Sequence, residues 1–266
     1  MSKTILVTGA SSGFGLLIAN KLHKSGYNVI GTSRNPEKYA SELPFKMIAL
    51  DLDSEQSINT FSERIFKEIG QLDILINNAG FLVSGIAEET PIELGRKQLE
   101  TNFWGTIKVT NAVLPYFRKQ KFGKIITVGS IVGLVSFPNA AYYAASKHAL
   151  EGYFKALRYE LNEFNISVAM IEPAAFKTSI LDNSSSTLNK IEDYNILRGK
   201  IEKFTNTLVE QAEDPAMVAE KVLKVVQTAK PKFRNIVGKG TSVLINLQHF
   251  AYGILEKNVL KQLHKS

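Results

Sequence analysis

The 266-residue sequence contains no cysteine, which excludes disulfides and thiolate metal sites and agrees with a reducing compartment. Its histidines, His23, His148, His249 and His264, are scattered without ligand spacing, so neither zinc nor any other metal site is expected. The opening "MSKTILVTGA" lacks a cationic leader and a long apolar region. No signal peptide is therefore expected, the mature protein should start at or near Met1, and a cytoplasmic location follows as the expectation. One uncharged run, residues 125–146, is long enough to cross a bilayer, but it includes Thr127, Gly129, Ser130, Gly133, Ser136, Pro138 and Asn139. A buried strand, a loop and a helix start fit it better. Neither an internal repeat nor a Pro/Gly-rich linker interrupts the chain, and one domain over residues 1–266 is expected. The net charge of +7 is uneven: 12 basic and 6 acidic side chains lie in residues 196–266, and the remaining 20 and 19 in residues 1–195. The C-terminal basic residues are dispersed among apolar ones rather than clustered with aromatics, which reads as a solvated face and argues against a nucleic-acid partner.

What the sequence does have is alternation. Short apolar runs at 3–8 ("KTILVT"), 28–32, 46–50, 72–77, 124–129, 166–171 and 234–238 read as strands, and helical patterns lie near 14–25, 55–69, 91–119, 141–164 and 214–229. Strands that are apolar almost throughout belong to a sheet covered on both faces. The fold class is therefore α/β: a single-domain, Rossmann-like, doubly wound parallel sheet of about seven strands with helices on both faces. Residues 182–189, "DNSSSTLN", open a long connection, and 179–213 reads as a substrate lid or, equally, a slack surface loop. Residues 241–264 carry an amphipathic stripe at 244, 247, 251, 254 and 255. Packing on the domain or on a partner subunit is preferred for it over a membrane surface.

"TGASSGFG", residues 8–15, follows the first strand and opens the first helix. Gly9 permits a tight turn, Gly13 lets backbone approach a phosphate, and Gly15 lets helix and strand pack closely. The exposed N–H groups of the helix start then make a pyrophosphate site from Gly9, Ser11, Ser12, Gly13, Phe14 and Gly15. "AAYYAASKHA", residues 140–149, poses a choice between two tyrosines. On a helix a residue four positions on is turned by only about 40°. Lys147 therefore shares a face with Tyr143, while Tyr142 packs elsewhere. As a bare pair these would be an ordinary helix surface.

The spacing G-x-x-x-G-x-G resembles that of the short-chain dehydrogenase/reductase family. "NNAG" at 77–80, Asn102 in "ETNFWGT", Ser130 at a strand end, Tyr143 and Lys147 as Y-x-x-x-K, and "PAAFKT" at 173–178 follow in the family's order. The segments "EPAAFKTS" and "GTSRN" are similar to those of its hydroxysteroid and retinol dehydrogenase branch. The resemblance implies that Asp51 and Leu52 border the adenine, and that Asn78, Ala79 and Gly80 lie beside the adenosine ribose. It implies too that Pro173, Phe176 and Thr178 border the nicotinamide. Tyr143 would pass a proton, Ser130 hold the substrate oxygen, Lys147 tune Tyr143 and bond the ribose, and Asn102 hold a water that links the lysine to solvent. A homodimer or homotetramer joined through the helices carrying Asn102 and Tyr143 is implied as well. Ala174 departs from the family, which has glycine after the proline.

At the end of the second strand, Ser33 stands where NAD enzymes of the family carry aspartate, and Arg34 follows. Arg34 can bond the extra phosphate of NADP(H), so NADP(H) is preferred over NAD(H). The expected activity is interconversion of a secondary alcohol and a ketone or aldehyde by hydride transfer. "IVGLVSFP" after Ser130, with Phe81, Phe103 and Phe176, indicates a hydrophobic small-molecule carbonyl or alcohol. A non-catalytic NADP(H)-binding sensor or scaffold is the alternative.

Overall fold

A computed structural model describes residues 2–177 and 190–265. Seven parallel strands form one sheet in the order β3-β2-β1-β4-β5-β6-β7: β1 (Thr4–Val7), β2 (Asn28–Ser33), β3 (Lys46–Ala49), β4 (Ile74–Asn77), β5 (Gly123–Val128), β6 (Ile166–Pro173) and β7 (Arg234–Val237). The helices among the described residues are α1 (Gly13–Lys24), α2 (Glu55–Ile69), α3 (Ile92–Leu99), α4 (Thr106–Gln120), α5 (Ala141–Glu160), α6 (Asn195–Glu210), α7 (Ala216–Gln227), α8 (Thr241–Phe250) and α9 (Tyr252–Lys265). None of the described helices is long and apolar enough to cross a membrane. The uncharged run at 125–146 resolves into β5, a short 3-10 turn over Ile131–Gly133 and the first turns of α5.

Alternation along each strand builds a core on both faces of the sheet. Ile5, Val7, Ile74 and Ile76 face α1 and α7, where they meet Ile18, Leu22, Val218 and Val222. Leu6, Leu75 and Ile125 face the other way, onto Phe61, Val113, Phe117 and Phe154 of α2, α4 and α5. The chain winds outward from β1 to β3, then returns to place β4 on the other side of β1. Loops leaving β1 and β4 part in opposite directions there, so a crevice opens at the carboxyl ends of those two strands.

Three regions carry detail that the sequence pattern did not give. The helix pattern over 91–119 is interrupted by a π-helical turn, Glu100–Gly105, that contains Asn102. Within the expected lid, residues 195–210 form α6, whose buried Ile201 and Phe204 continue a helical stripe from Leu197 to Leu208 that polar neighbours obscure. Residues 178–189, and with them Thr178 and "DNSSSTLN", lie outside the described residues. The C-terminal segment is two helices broken at Ala251, and it buries Ile245 and Leu255 while Ile254 is exposed. Those two residues pack on Ile131, Leu134 and Val135, so much of the apolar run after Ser130 is occupied by α8 and α9.

Candidate active site

The glycine loop is fixed by its neighbours across the crevice. Thr8 Oγ1 accepts from the backbone N–H groups of Asn78 and Ala79 at 2.9 and 3.1 Å, and Asn78 Nδ2 donates to the carbonyls of Thr8 and Gly9 at 3.0 and 3.2 Å. Gly9 has φ 65°, and a Cβ on it would stand 2.9 Å from Ala79 Cα. A Cβ on Gly15 would lie 2.1 Å from the Gly9 carbonyl oxygen and 2.5 Å from Asn78 Nδ2. Gly13, with φ 53°, differs, for nothing lies within 4 Å of the place its Cβ would take. Ser12 starts α1 with extended backbone but makes no side-chain capping bond, and no acidic residue occupies the first turn. The helix start therefore presents N–H groups, a half-buried Ser11 and an uncommitted hydroxyl to open space, as an anion site requires.

Farther along the crevice, Arg34 is exposed and makes no ion pair among the described residues. Ser33 is 9% exposed and its Oγ is buried without a hydrogen-bond partner among the described residues, so the two residues do not present themselves alike. Asp51 turns its carboxylate back onto the Asp53 N–H at 3.1 Å, and buried Leu52 packs under Gly105. Gly80 is close enough to Asn102 that a Cβ would lie 2.9 Å from its Oδ1. On the opposite wall Pro173 ends β6, and Phe176 meets Phe14 edge to face at 5.8 Å. The Ala174 methyl is turned onto Gly238, whose own Cβ would stand 2.6 Å away. Gly238, at φ 123°, thus makes room for the methyl on the side of β7.

Ser130 follows β5, is 8% exposed and accepts from Val132 N at 3.2 Å. Its hydroxyl also acts on the Tyr143 phenol, favouring the phenolate. Burial pushes that phenol up to about 12, against the pull of Ser130. Lys147 lies on the same face of α5, with Nζ 5.6 Å from the Tyr143 ring centroid, and it donates to the Val128 carbonyl at 3.0 Å. Its ammonium is thus over the ring rather than on the phenol oxygen. Burial pulls Lys147 down to about 8, and the charge of Glu151 opposes this. Tyr142 packs on Gly95 of α3, where a Cβ would meet its ring at 2.4 Å.

Asn102 is 1% exposed. Its Oδ1 accepts from Phe81 N at 3.0 Å, and its Nδ2 donates to Phe81 O at 2.9 Å and to Ser146 Oγ at 3.2 Å. Ser146 in turn donates to the Tyr143 carbonyl at 2.8 Å. The asparagine amide is spent on structure: it ties the loop after β4 to the first turns of α5. A π turn places it there by offsetting the helix locally, and such turns recur at functional sites. Phe103, read with Phe81 and Phe176 as a sign of a hydrophobic substrate, packs edge-on against Trp104 and Tyr153 instead.

Sequence reasoning missed Thr8, Gln98 and Ser146. Gln98 is fully buried and donates to the Phe81 carbonyl at 2.8 Å. Ser146 carried a signal, three residues after Tyr143 on the helix; Gln98 carried none, because its partner is a backbone carbonyl from another element. The loop after β4 is further held by Asn139, which adopts φ 69° and donates to Ser84 Oγ at 2.8 Å. Glu89 holds the approach to α6, accepting from Ile191 N at 2.7 Å and from Arg198.

Residues 3–189 match the family described as short chain dehydrogenase. The chain is 41% identical to the oxidoreductase YusZ of Bacillus subtilis over 261 residues, covering 91% of each chain. It is 38% identical to 3-ketodihydrosphingosine reductase of Bacteroides thetaiotaomicron over 248 residues, covering 90% of this chain and 89% of that one. Among solved structures it resembles ElxO with NADP bound, at a TM-score of 0.77 and 25% identity, covering 91% of this chain and all of the other. The ordered motifs, the parallel sheet with its crevice and these similarities have one common explanation: the chain belongs to the short-chain dehydrogenase/reductase family of oxidoreductases.

Proposed function

We propose that the protein is an NADP(H)-dependent oxidoreductase that interconverts a secondary alcohol and a ketone or aldehyde on a hydrophobic substrate. The observation that carries this reading is the buried ammonium of Lys147, 5.6 Å from the Tyr143 ring centroid, with the Ser130 hydroxyl acting on the same phenol. A substrate carbonyl oxygen placed between the two hydroxyls accepts from both. Ser130 then stabilises the charge that develops on that oxygen, and Tyr143 gives up its proton to it. A phenol held near 12 remains a proton donor at neutral pH, and nearby positive charge lowers the cost of its becoming phenolate. Lys147 supplies that charge. Asn102 acts by holding α5 through Ser146.

When bound, a nicotinamide dinucleotide supplies or accepts the hydride. Gly9, Ser11, Ser12, Gly13, Phe14 and Gly15 fit its pyrophosphate because the loop is open only at Gly13 and Ser12. Asp51 and Leu52 would border the adenine, Asn78 to Gly80 the ribose, and Pro173 and Phe176 the nicotinamide. Arg34, exposed and without an ion pair among the described residues, is the residue for the phosphate that distinguishes NADP(H), and the Ser33 hydroxyl is buried beside it. The substrate would enter between the 131–137 segment, α6 and the C-terminal helices, where Phe137 and Phe204 face each other at 6.2 Å.

The test is turnover of NADPH with a panel of ketones, aldehydes, steroids and quinones, 3-ketodihydrosphingosine included. Tyr143→Phe should retain NADPH binding while turnover falls by orders of magnitude. Near-normal turnover in that variant overturns the assignment. Tight NADPH binding with no oxidation by any compound in the panel identifies a dinucleotide sensor instead.

A further inference from the structure

Behind Lys147 lies a group of buried charges that the reaction described above does not use. Helix α5 repeats Tyr143, Lys147 and Glu151 at four-residue intervals, which stacks them on one face. Glu151 is 7% exposed. Its Oε2 accepts from Arg234 at 3.3 Å, while its Oε1 is buried without a hydrogen-bond partner among the described residues. That orphaned oxygen stands beside Gly129, where a Cβ would come within 3.4 Å of it. Lys147 donates to the carbonyl of Val128, the residue before. The lysine and the glutamate therefore flank the same two residues, which lead directly to Ser130.

A second carboxylate shares the arginine. Glu172, with 0% exposure, accepts from Arg234 Nε at 3.1 Å and from Asn235 N at 2.8 Å, and it precedes Pro173. Burial and the charge of Glu151 push Glu172 up to about 8, and burial pushes Glu151 up as well, against Arg234, His148 and Lys147. Two carboxylates thus compete for one guanidinium, and of the two Glu151 alone acts on Lys147 directly. Buried ion pairs of this kind are poor sources of stability, because desolvation offsets the attraction and apolar groups fill the space as well or better. An orphaned carboxylate oxygen makes the stability account weaker still.

We propose that Glu151 is a positioning residue for the reaction: its carboxylate, one turn behind Lys147, keeps the lysine cationic in its buried seat, and sharing of Arg234 with Glu172 sets how much negative charge Glu151 carries. This rests on the reading of Lys147 as part of the proton-handling machinery. The groups that face Glu151 are Lys147 and His148 on its own helix, Arg234 from β7 and Glu172 from β6, with Tyr143 a neutral phenol beyond the lysine. The arrangement makes opposite predictions for two isosteric variants. Glu151→Gln removes the anion and lets Lys147 deprotonate more easily. Glu172→Gln releases Arg234 to Glu151, which ionises more fully and holds the Lys147 proton more tightly.

The experiment titrates the full-length protein labelled with 13C at lysine Cε, with the Lys147 resonance identified by its absence in Lys147→Met. Glu151→Gln should lower the Lys147 midpoint by about one to two pH units, as loss of an adjacent opposite charge does. Glu151→Asp should restore part of the shift, and Glu172→Gln should raise the midpoint. The alkaline limb of kcat/KM for NADPH with the best ketone of the panel should move with the midpoint. Unchanged midpoints, or shifts of the same sign in the two glutamine variants, overturn the proposal. Should Glu151→Gln fail to fold, Glu172→Gln decides alone, and a midpoint that falls or stays is fatal. If the midpoints move as stated and the kinetic limb does not, Lys147 is outside the reaction, and the underlying reading fails along with the positioning role.

Discussion

The loop at residues 8–15 and the face of α5 from Tyr143 to Glu151 form two ends of one crevice, and they are built by opposite means. The loop works by leaving side chains out. Gly9 and Gly15 let backbone touch backbone, and Gly13 and Ser12 leave donors free toward open space. The α5 face works by burying charge, in Lys147 and Glu151, and by a hydrogen bond from a distant element, Asn102 to Ser146. At Gly9 and Gly15 the loop tolerates almost no added volume, whereas α5 is sensitive to added or lost charge.

The sharpest way to break the loop is Gly15→Ala. The new methyl meets a backbone carbonyl at 2.1 Å, which a flexible side chain cannot relieve. A loss of about 3 kcal/mol or more in unfolding free energy is expected, at the upper end for overpacking, together with loss of dinucleotide binding by titration. Next in size is Arg34→Ala, which deletes the exposed guanidinium without touching the core. kcat/KM with NADPH should fall about tenfold or more, the scale of a lost charge-assisted hydrogen bond, while the value with NADH stays near that of the parent. An equal loss with both dinucleotides would refute the phosphate role of Arg34.

The α5 face should instead show itself as pH dependence. Lys147 is held below its ordinary value by burial, so it is cationic below about 8 and neutral above. kcat/KM for carbonyl reduction should therefore fall as pH rises through about 8. Above that limb the decline approaches about tenfold per pH unit, as for a single required proton. A flat profile across that range would separate Lys147 from catalysis. The milder of the two loop changes is Gly13→Ala. Its methyl meets nothing, so only the left-handed backbone costs, about 1–2 kcal/mol. Dinucleotide affinity should drop more than stability does, whereas Gly15→Ala should damage both. Thermal unfolding and dinucleotide titration of the two variants side by side decide the matter.

Much of this was legible beforehand. The strands could be placed because both faces of a doubly wound sheet are covered, which leaves each strand as an apolar run bounded by turns. α6 was hidden because only one side of it touches the core, and its polar majority reads as loop. Asn102 could be located in the sequence, but the π turn around it and the Phe81 backbone that consumes its amide could not. Phe103 was read with the hydrophobic substrate, but which neighbours its ring meets, Trp104 and Tyr153, is decided by helix packing and not by the local sequence.

The sequence by itself determined the alternation of strands and helices, the glycine spacing after β1 and the four-residue interval from Tyr143 to Lys147. All of these follow from local backbone preference and from the periods of helix and strand. Only the tertiary structure decided which oxygen Lys147 bonds, that the Ala174 methyl turns to Gly238, and that Glu151, Glu172 and Arg234 meet behind the site. Those contacts join α5, β6 and β7, elements far apart in the chain. A buried charge takes its character from every group that surrounds it, and no local stretch of sequence contains that set.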